Sequence, residues 1–550
     1  MLRSVLVVLV FMGAFACQLP AQTPREQLQQ AAAAFGSDPS DANLVALFEA
    51  AACYVAVSLV PEPDPDPEPD PDPEPDPDPE PPDDDGWTEL VPSADSLLIH
   101  VDAEGDDTAD GLTPATAKKT LAAGIALLRH GEPDWLLLER GDVWTDESLG
   151  SWKTGGRSAD EPQIVTAYGD VSLPRPLLLC NGNGFTRKGG GGTPFELSYL
   201  RFVGIDFYAH KRNPAEGSYD SSVSGVGFSW LGKGTDILIE DCAFRFFTTG
   251  INMLSDSDLD GVTRKVSDVR IRRCLVADSY QVNTSGHSQG VYSAGVEGLL
   301  IEECSIDHNG WFGDGVEGSH KTKFNHNIYI QTSATGALIF RGNVILRGSS
   351  HGLQARAGGD IVGNLFAQNP IAFFYGQYGP ATAIDNVVLN ATDIDDELRG
   401  WGIELKPNEL GTAHGNIVAH KLSTAGSHSI QLGSPPDRTL LPVSRLDLAG
   451  NIVWDCSPYK NGLGISINEE YVDEFTNFGN TVDGVDIVTG EVVEFVDPDR
   501  DIVSYQQSLG ADDTFDAFAA ACRQQRRGAW NVAYTAEAIN TYFRQGFTTP

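Results

Sequence analysis

One short pattern recurs along the chain, as Gly342-Asn343-Val344-Ile345, Gly363-Asn364-Leu365-Phe366 and Gly415-Asn416-Ile417-Val418. The same register continues in six further copies, which carry Cys242, Cys274, Cys304, Asn386, Asn451 and Asn480. Successive copies lie 21 to 39 residues apart. A variable period with a fixed register indicates a solenoid with loops inserted between its strands. Because the segments are rich in Val, Ile, Leu and Phe and bounded by Gly, Asn and Asp, we expect strands and turns.

The repeated Asn and Cys positions have a physical explanation. Asn tolerates left-handed backbone at a sharp turn, and its side-chain amide can bond the amide of the next coil. A buried Cys can fill the same position as a small apolar residue. The pattern resembles the right-handed parallel β-helix proteins of the pectate-lyase-like superfamily, which implies an all-β solenoid built from parallel strands. The alternative is an all-β sandwich whose turns carry Asn by coincidence, and nine matches in one register disfavour it.

Composition restricts the classes of partner. The 550 residues have a formal net charge of −40, which disfavours nucleic acid and anionic membrane surfaces as partners. A local patch of Arg, Lys and His could still bind an acidic polysaccharide. The eight Cys include three in the repeat, which we expect to be packed thiols, and none has the spacing of a zinc site. We expect a monomer.

The N-terminal region predicts export. Residues 1–21 contain Arg3 and then a short apolar run, which is typical of a signal peptide. Two processing sites compete: a lipoprotein signal ending before Cys17, which would attach lipid and thereby the membrane, and a signal-peptidase site after Ala21. Either route places the protein outside the cytoplasm, in the periplasm, at the cell surface or in the medium. Residues 22–60 are rich in Ala and suggest no activity.

Residues 61–85 alternate Pro with Asp or Glu and carry 13 acidic side chains. Such a segment favours an extended polyproline II spacer, because Pro restricts the backbone and like charges repel. We assign residues 86–500 to the parallel β-helix domain and residues 501–550 to a helical C-terminal cap or a segment folding back on the stack. A first strand is expected near Ile99, followed by a capping helix over residues 120–128. This opening, over residues 98–168, resembles exported β-helix polysaccharide lyases.

Aligning the coils places a group of polar residues on one outer strip. If Val291, Ile328 and Leu353 point inward, the residues that follow them must point outward. The outward positions and their edge then collect Tyr329, Gln331, Gln354, Arg356, Glu404 and Lys406, with His326, His351 and His428 just before the strands. We expect loops before the strands to contribute Trp311, Lys321 and Trp401. The rings of the two Trp residues could stack on sugars. This set suits a groove for a sugar polymer.

The strip contains the groups that β-elimination from a uronate polymer requires. Arg356 could bind the carboxylate, His326 or His351 could act as the base, and Tyr329 could protonate the leaving oxygen. Gln331, Gln354, Lys321, Lys406, Glu404, Trp311 and Trp401 would bind the substrate. We expect the basic histidine to have a pKa near the working pH. Arg356 could instead pair with Glu404 or Asp360 as a surface bridge.

Two other functions remain open from the sequence. A non-catalytic glycan-binding or adhesin β-helix would use the same aromatic and amide contacts, and a glycoside hydrolase would need two carboxylates, of which Glu404 is one. The sequence firmly implies no cofactor. Calcium stays open because Asp256, Asp258 and Asp260 alternate in one loop, although no distal Glu completes a calcium loop. Paired aspartates with Gly-His-Gly, as in polygalacturonases, are absent.

Overall fold

A computed structural model describes residues 86–188, 196–257, 263–282, 286–312, 320–376, 381–395 and 397–550. Of residues 256, 257, 263, 264 and 312 only the backbone is described. Residues Leu90–Pro550 form one compact unit. The expected signal peptide, Ala-rich segment and acidic spacer lie outside the described residues, so they stay predictions.

The described chain is a right-handed parallel β-helix in which each coil contributes strands to three sheets. The first sheet comprises Leu98–Val101, Trp135–Glu139, Gln163–Tyr168, Leu200–Val203, Gly234–Glu240, Val266–Arg272, Glu297–Glu302, Thr335–Arg341, Gly359–Val362, Ala381–Ile384, Gly411–His414, Arg445–Ala449 and Glu474–Phe478. The second sheet comprises Val143–Thr145, Leu177–Leu179, Asp206–Tyr208, Ala243–Arg245, Leu275–Ala277, Ser305–Asp307, Val344–Leu346, Leu365–Ala367, Val387–Leu389, Ile417–Ala419, Ile452–Trp454, Thr481–Val482 and Val485–Asp486.

The third sheet carries the polar strip that the sequence predicts. It comprises Gly150–Ser151, Phe185–Lys188, Val226–Leu231, Thr249–Leu254, Gln289–Ala294, His326–Ile330, His351–Ala355, Ile371–Tyr375, Trp401–Leu405, Ile430–Leu432 and Ile465–Ile467. Two short pairs lie outside the three sheets, Asp256–Ser257 with Thr263–Arg264 and Tyr280–Gln281 with Trp311–Phe312.

The Asn residues of the repeat form a continuous buried ladder. The backbone N–H and the Nδ2 of Asn364 both donate to Asn386 Oδ1, at 3.0 Å each. Asn386 repeats this bonding to Asn416, at 3.1 Å from the backbone and 2.9 Å from Nδ2. Each amide oxygen therefore closes a turn of the previous coil, which confirms the predicted role of the column. A second, unpredicted ladder links Asn309, Asn327 and Asn369.

The sequence reasoning was wrong about which residue is left-handed. The positive φ belongs to the residue before each Asn, for example Gly342 (62°), Gly363 (63°) and Asp385 (56°), while the Asn itself has ordinary backbone. This division is physical, because a left-handed residue makes the corner and the next side chain then points into the coil, where it can bond its neighbours. Gly at these corners carries no steric cost, and Asp is one of the few residues that tolerate them.

The Cys residues of the repeat are buried free thiols, as expected. The backbone N–H of Cys304 donates to Asn343 Oδ1 at 3.0 Å, so the Cys part of the column continues directly into the Asn part. One coil earlier, the backbone N–H of Cys274 lies 3.4 Å from Cys304 Sγ. Sulfur therefore takes the acceptor position that Asn oxygen takes in later coils.

The N-terminal helix is shorter than predicted. Helix α1 spans Leu121–Ile125, and the Thr120 side chain caps it by accepting from Ala123 N. Leu121 and Leu128 are buried in the main core, although the chain has left the helix before Leu128. Five helical residues suffice because the following turn carries the second apolar anchor into the core.

The C-terminal helices cover the flank of the solenoid. Helices α2 (Ile502–Ser508), α3 (Phe515–Arg523) and α4 (Ala536–Gly546) pack against outward side chains of the second sheet. Of the two expected placements, these contacts match the segment folded back on the stack. The reason is the second sheet itself, whose strands Val344–Leu346 and Val387–Leu389 are buried on both faces. No helix in the described ranges is long and apolar enough to cross a membrane.

Candidate functional site

The outer strip of the third sheet forms in the predicted register. Tyr292 pairs with Tyr329, Tyr329 with Gln354, and Gln354 with Phe374 in successive strands. The column continues through Glu404 to Gln431. The residues that precede this column are fully buried; they are Val291, Ile328, Leu353, Phe373, Ile403 and Ile430. The alternation therefore sends the polar column outward, as the sequence predicts.

Two adjoining cavities lie over this column. The first has a volume of about 510 Å³ and is lined by His351, Trp401, Glu404 and Lys406 among others. The second has a volume of about 440 Å³ and is lined by His326, Tyr329 and Gln331 among others. Both cavities share Lys323, Gln354 and Arg356. We refer to the two together as the third-sheet groove.

Arg356 lies where the two cavities meet. Its guanidinium carbon is 5.3 Å from the centre of the Tyr329 ring, within cation–π range. No ion pair joins Arg356 to a carboxylate within the described part of the chain. The expected alternatives are not formed, because Glu404 Oε1 instead accepts from Lys406 Nζ at 2.7 Å. Arg356 is exposed to solvent and its guanidinium is available to an anionic ligand.

His326 and His351 are buried side by side at the edge of the groove. Their Nδ1 atoms are 3.2 Å apart, and the backbone N–H of His351 lies 3.3 Å from His326 Nδ1. That N–H needs an acceptor, so His326 Nδ1 carries a lone pair. The contact between the two Nδ1 atoms is then a hydrogen bond when His351 Nδ1 carries the proton.

This arrangement defines the chemistry of the His351 ring. With the proton on Nδ1, the Nε2 of His351 has a lone pair, and no described residue donates to it. His351 lines the first cavity, so this lone pair is the basic atom that the groove offers. Ser350 Oγ, at 3.2 Å from His351 Nδ1, supports the same ring orientation.

The histidine pKa values differ from the sequence-based expectation. Burial, followed by the charges of Arg356 and Arg399, lowers the pKa of His351 to about 3. Burial and the neighbouring His351 lower the pKa of His326 well below its usual range. The expectation of a histidine pKa near the working pH is therefore wrong for both rings. Both rings are neutral at physiological pH, which is the state a base requires.

Tyr329 is protonated in the same range. Burial raises the pKa of its phenol, and the charge of Arg356 opposes that rise only in part. The phenol is therefore a proton donor at neutral pH. The Tyr329 ring also packs edge-on against His326, with centroids 5.2 Å apart.

Cations outnumber carboxylates around the first cavity. Lys323, Arg356, Arg399 and Lys406 all line it, and Glu404 is its lining carboxylate. Glu397 pairs with Lys323 at 2.6 Å and also with Arg399. Among the lining residues, four cations face one carboxylate, so the lining is positive in a chain whose net charge is −40. This patch has the sign that attracts an acidic ligand.

Not every predicted residue reaches the groove. Lys321 donates to Thr392 Oγ1 at 2.8 Å, and burial lowers its pKa. Trp311 lies beneath Lys321, with its indole N–H donating to Arg347 O at 3.2 Å. Neither residue lines either cavity. Trp311 belongs to the short strand that pairs with Tyr280–Gln281, and Lys321 is hydrogen-bonded to Thr392. His428 lies at the edge and bonds Leu463 O at 2.8 Å.

Sequence reasoning missed several groove residues. Lys323 lies three positions before the strand that begins at His326, and Arg399 lies two positions before the strand that begins at Trp401. A basic residue just before a third-sheet strand was the pattern that could have predicted both. Phe374 was visible as a member of the outward column. The residues of the second cavity that were missed come from its neighbouring coils and loops; they are Asn252, His287, Gln289, Tyr292 and Phe324.

The described residues contain no cluster of three or more His, Cys, Asp or Glu side chains placed to hold a metal ion. Asp258 and Asp260 of the calcium alternative lie outside the described residues. A hydrolase would need a second carboxylate facing Glu404 across the bond. Glu404 is the one Asp or Glu that lines either cavity in the described part of the chain.

A protein-family model agrees with the parallel β-helix fold. The family model described as "Right handed beta helix region" matches residues 216–388. No curated protein matches the sequence. Among solved structures, a rhamnogalacturonan lyase is 11% identical, with 74% of this chain and 92% of that chain covered and a TM-score of 0.35.

Two other solved structures give similar values. The A-module of the mannuronan C-5 epimerase AlgE6 from Azotobacter vinelandii is 11% identical, with 70% and 88% of the chains covered and a TM-score of 0.29. The GH136 lacto-N-biosidase from Eubacterium ramulus is 13% identical, with 70% and 67% covered and a TM-score of 0.29. The fold of this chain is assigned from its own strand pairing and from the family model.

Proposed function

We propose that the protein is an exported lyase that cleaves an acidic, uronate-containing polysaccharide by β-elimination in the third-sheet groove. One observation carries the proposal. Arg356, which has no ion-pair partner among the described residues, lines both cavities, with the Tyr329 phenol in one and the buried neutral imidazole of His351 in the other. Neutralising cation, proton donor and base are the three groups that this reaction requires.

Arg356 would bind the uronate carboxylate through two parallel hydrogen bonds. Withdrawing charge in this way makes the proton on the neighbouring carbon, C5, more acidic. His351 Nε2 takes that proton, the C4–C5 double bond forms, and the bond from C4 to the glycosidic oxygen breaks. The leaving oxygen takes the proton of the Tyr329 hydroxyl. Atoms and charges balance, and no water is consumed.

The second histidine supports the first. When His351 becomes an imidazolium, its Nδ1–H continues to donate to His326 Nδ1. A bound carboxylate also neutralises the positive field of Arg356, which is one cause of the low pKa of His351. Substrate binding therefore raises the pKa of the base at the moment when it must accept a proton.

Other residues of the groove would position the polymer. Trp401 offers an aromatic face, and Lys406 adds positive charge while held by Glu404 and Ser434. Gln331 and Gln354 offer amide groups to sugar hydroxyls. Export, a lipid anchor at Cys17 and a monomeric state belong to the same proposal and rest on the sequence reasoning.

The test measures unsaturated products by their ultraviolet absorbance after incubating the full chain with a panel of uronate polymers. His351→Gln, Tyr329→Phe and Arg356→Gln should each lose product formation. Matched controls are His414→Gln and Arg445→Gln, which alter the same residue types on the first sheet. Binding without product from any polymer would favour the glycan-binding alternative. Reducing sugar released without ultraviolet absorbance would favour a hydrolase.

A further inference from the structure

The two halves of the third-sheet groove differ in charge. Residues found only in the first cavity include Arg399, Glu404 and Lys406, so we refer to this as the charged half. The described residues found only in the second cavity include no Asp, Glu, Lys or Arg; they are Thr249, Asn252, His287, Gln289, Tyr292, Phe324, His326, Tyr329 and Gln331. We refer to this as the neutral half. Lys323 and Arg356 lie at the boundary.

The neutral half presents oxygen acceptors that lack donors. Asn252 Oδ1 is buried without a hydrogen-bond partner among the described residues, and so is Gln354 Oε1 at the boundary. Asn252 belongs to the outward column, since it pairs with Tyr292 in the next strand. A buried amide oxygen without a partner is costly, so it favours a ligand that brings an O–H or N–H. A carboxylate cannot satisfy it, because it brings only further lone pairs.

Aromatic rings occupy the same half. The rings of Tyr292 and Tyr329 lie 5.4 Å apart on adjacent coils. Phe324 is 60% exposed at the rim, close to His287. Exposed aromatic faces beside amide oxygens suit the apolar face and hydroxyl edge of an uncharged pyranose.

We propose that the groove takes a heteropolysaccharide in which uronates alternate with uncharged sugars, the uronate on Arg356 and the uncharged sugar in the neutral half. This inference rests on the proposed binding of uronate at Arg356. A polymer of uronates alone would place a second carboxylate among Tyr292, Asn252 and Gln289. Of the two cations that also line this cavity, Arg356 is taken by the first carboxylate and Lys323 is paired with Glu397 at 2.6 Å. Burying that carboxylate unpaired costs more than it gains from the rings.

The test compares binding of three polymers to the full chain by calorimetry. The polymers are a homopolyuronate, an alternating copolymer of a uronate and a neutral or N-acetylated sugar, and the same copolymer with its carboxylates reduced to alcohols. The alternating copolymer should bind at least about tenfold more tightly than either of the others, equivalent to about 1.4 kcal/mol. The reduced copolymer tests whether Arg356 needs the carboxylate.

Two variants locate the effect in the neutral half. Tyr292→Ala should weaken binding of the alternating copolymer about tenfold and change homopolyuronate binding less than twofold. Asn252→Lys should increase homopolyuronate affinity, because it supplies the missing cation. The controls are Phe478→Ala, which removes an aromatic ring, and Thr412→Lys, which adds a cation, both on the outer face of the first sheet. Neither control should alter the affinity for either polymer.

The outcomes separate this inference from the proposed reaction. Preferred binding of the alternating copolymer without unsaturated product would support the substrate class and overturn the lyase. Equal or tighter binding of the homopolyuronate, with Tyr292→Ala affecting both polymers alike, would overturn the alternation and leave the lyase standing. Binding of none of the three polymers by a folded wild-type chain would overturn both.

Discussion

Replacing Arg356 with Gln should reduce kcat/KM on an acidic polymer about a hundredfold. Two hydrogen bonds to a carboxylate contribute about 1.5–3 kcal/mol each. Because Arg356 is exposed and solvent screens its charge, we take the lower end, about 3 kcal/mol in total, which corresponds to roughly two powers of ten. Gln is shorter than Arg and keeps only a neutral amide donor, so the loss reports both the charge and the paired hydrogen bonds.

The same substitution should move the acid limb of the pH profile. The charge of Arg356 is the second cause, after burial, of the low pKa of His351, which lies at about 3. Removing that charge raises the pKa, so His351 becomes protonated, and unable to act as base, at higher pH than in the wild type. The acid limb of kcat/KM should therefore shift upward in Arg356→Gln. Burial remains, so the pKa should stay below the ordinary histidine value.

Initial rates of ultraviolet product formation, measured on a polyuronate from pH 3 to pH 8, check both expectations. The ratio of variant to wild-type rates at each pH cancels the titration of the substrate carboxylates. Arg445→Gln is the control, because it removes a guanidinium from the first sheet of the same solenoid. An unchanged acid limb together with reduced activity would mean that Arg356 does not act on the His351 ring. A downward shift would refute the assignment of His351 as the neutral base.

Three further predictions concern separate parts of the molecule. Tyr329→Phe should abolish product while changing polymer affinity less than about threefold, measured by calorimetry, because it removes only the proton donor. Asn386→Leu should lower the free energy of unfolding by at least about 3 kcal/mol in urea, since it leaves buried ladder groups without partners; an unchanged midpoint would contradict the ladder. Hydrogen bonds from His308 and Arg523 outweigh burial and lower the pKa of Asp278 to about 2. This carboxylate therefore stabilises the fold above about pH 4 and loses that effect as the pH falls towards 2, so Asp278→Asn should flatten the acid dependence of the melting temperature over that window.

The register of the coils was predictable because two periodicities agree. The Asn and Cys positions mark one corner of each coil, and the alternation of strands such as Ile328–Tyr329 and Leu353–Gln354 then assigns each side chain to a face. Both signals are local, since they depend on corner geometry and on inward packing. These two signals therefore sufficed to predict, from the sequence alone, that His326, Tyr329, His351 and Arg356 lie on one strip.

Structural features that depend on contacts between distant segments could not be predicted from the sequence in the same way. The strand Val387–Leu389 is apolar on both faces, which shows that something covers it but does not identify helix α4 as the cover. Lys321 lies outside the strands, and Trp311 lies in a two-residue strand outside the three main sheets, so the alternation of the third sheet directs neither side chain. The pKa of His351 depends on burial and on Arg399, which enters from another coil, and sequence order does not reveal either.

The separation of inner ladder and outer groove determines how the functional tests can be interpreted. Asn343, Asn364 and Asn386 bond inside the solenoid, at the corners before second-sheet strands. Tyr329 lies in the outward column of the third sheet, and Arg356 is exposed just after the strand His351–Ala355. Substituting an outward side chain leaves the inner ladder and the apolar column of Ile328 unchanged. Variants of Tyr329 and Arg356 should therefore unfold at the wild-type urea midpoint, and such a variant that loses activity at an unchanged midpoint reports chemistry. A shifted midpoint in Arg356→Gln would show that the groove and the core are coupled, and the kinetic loss would then measure stability as well as catalysis.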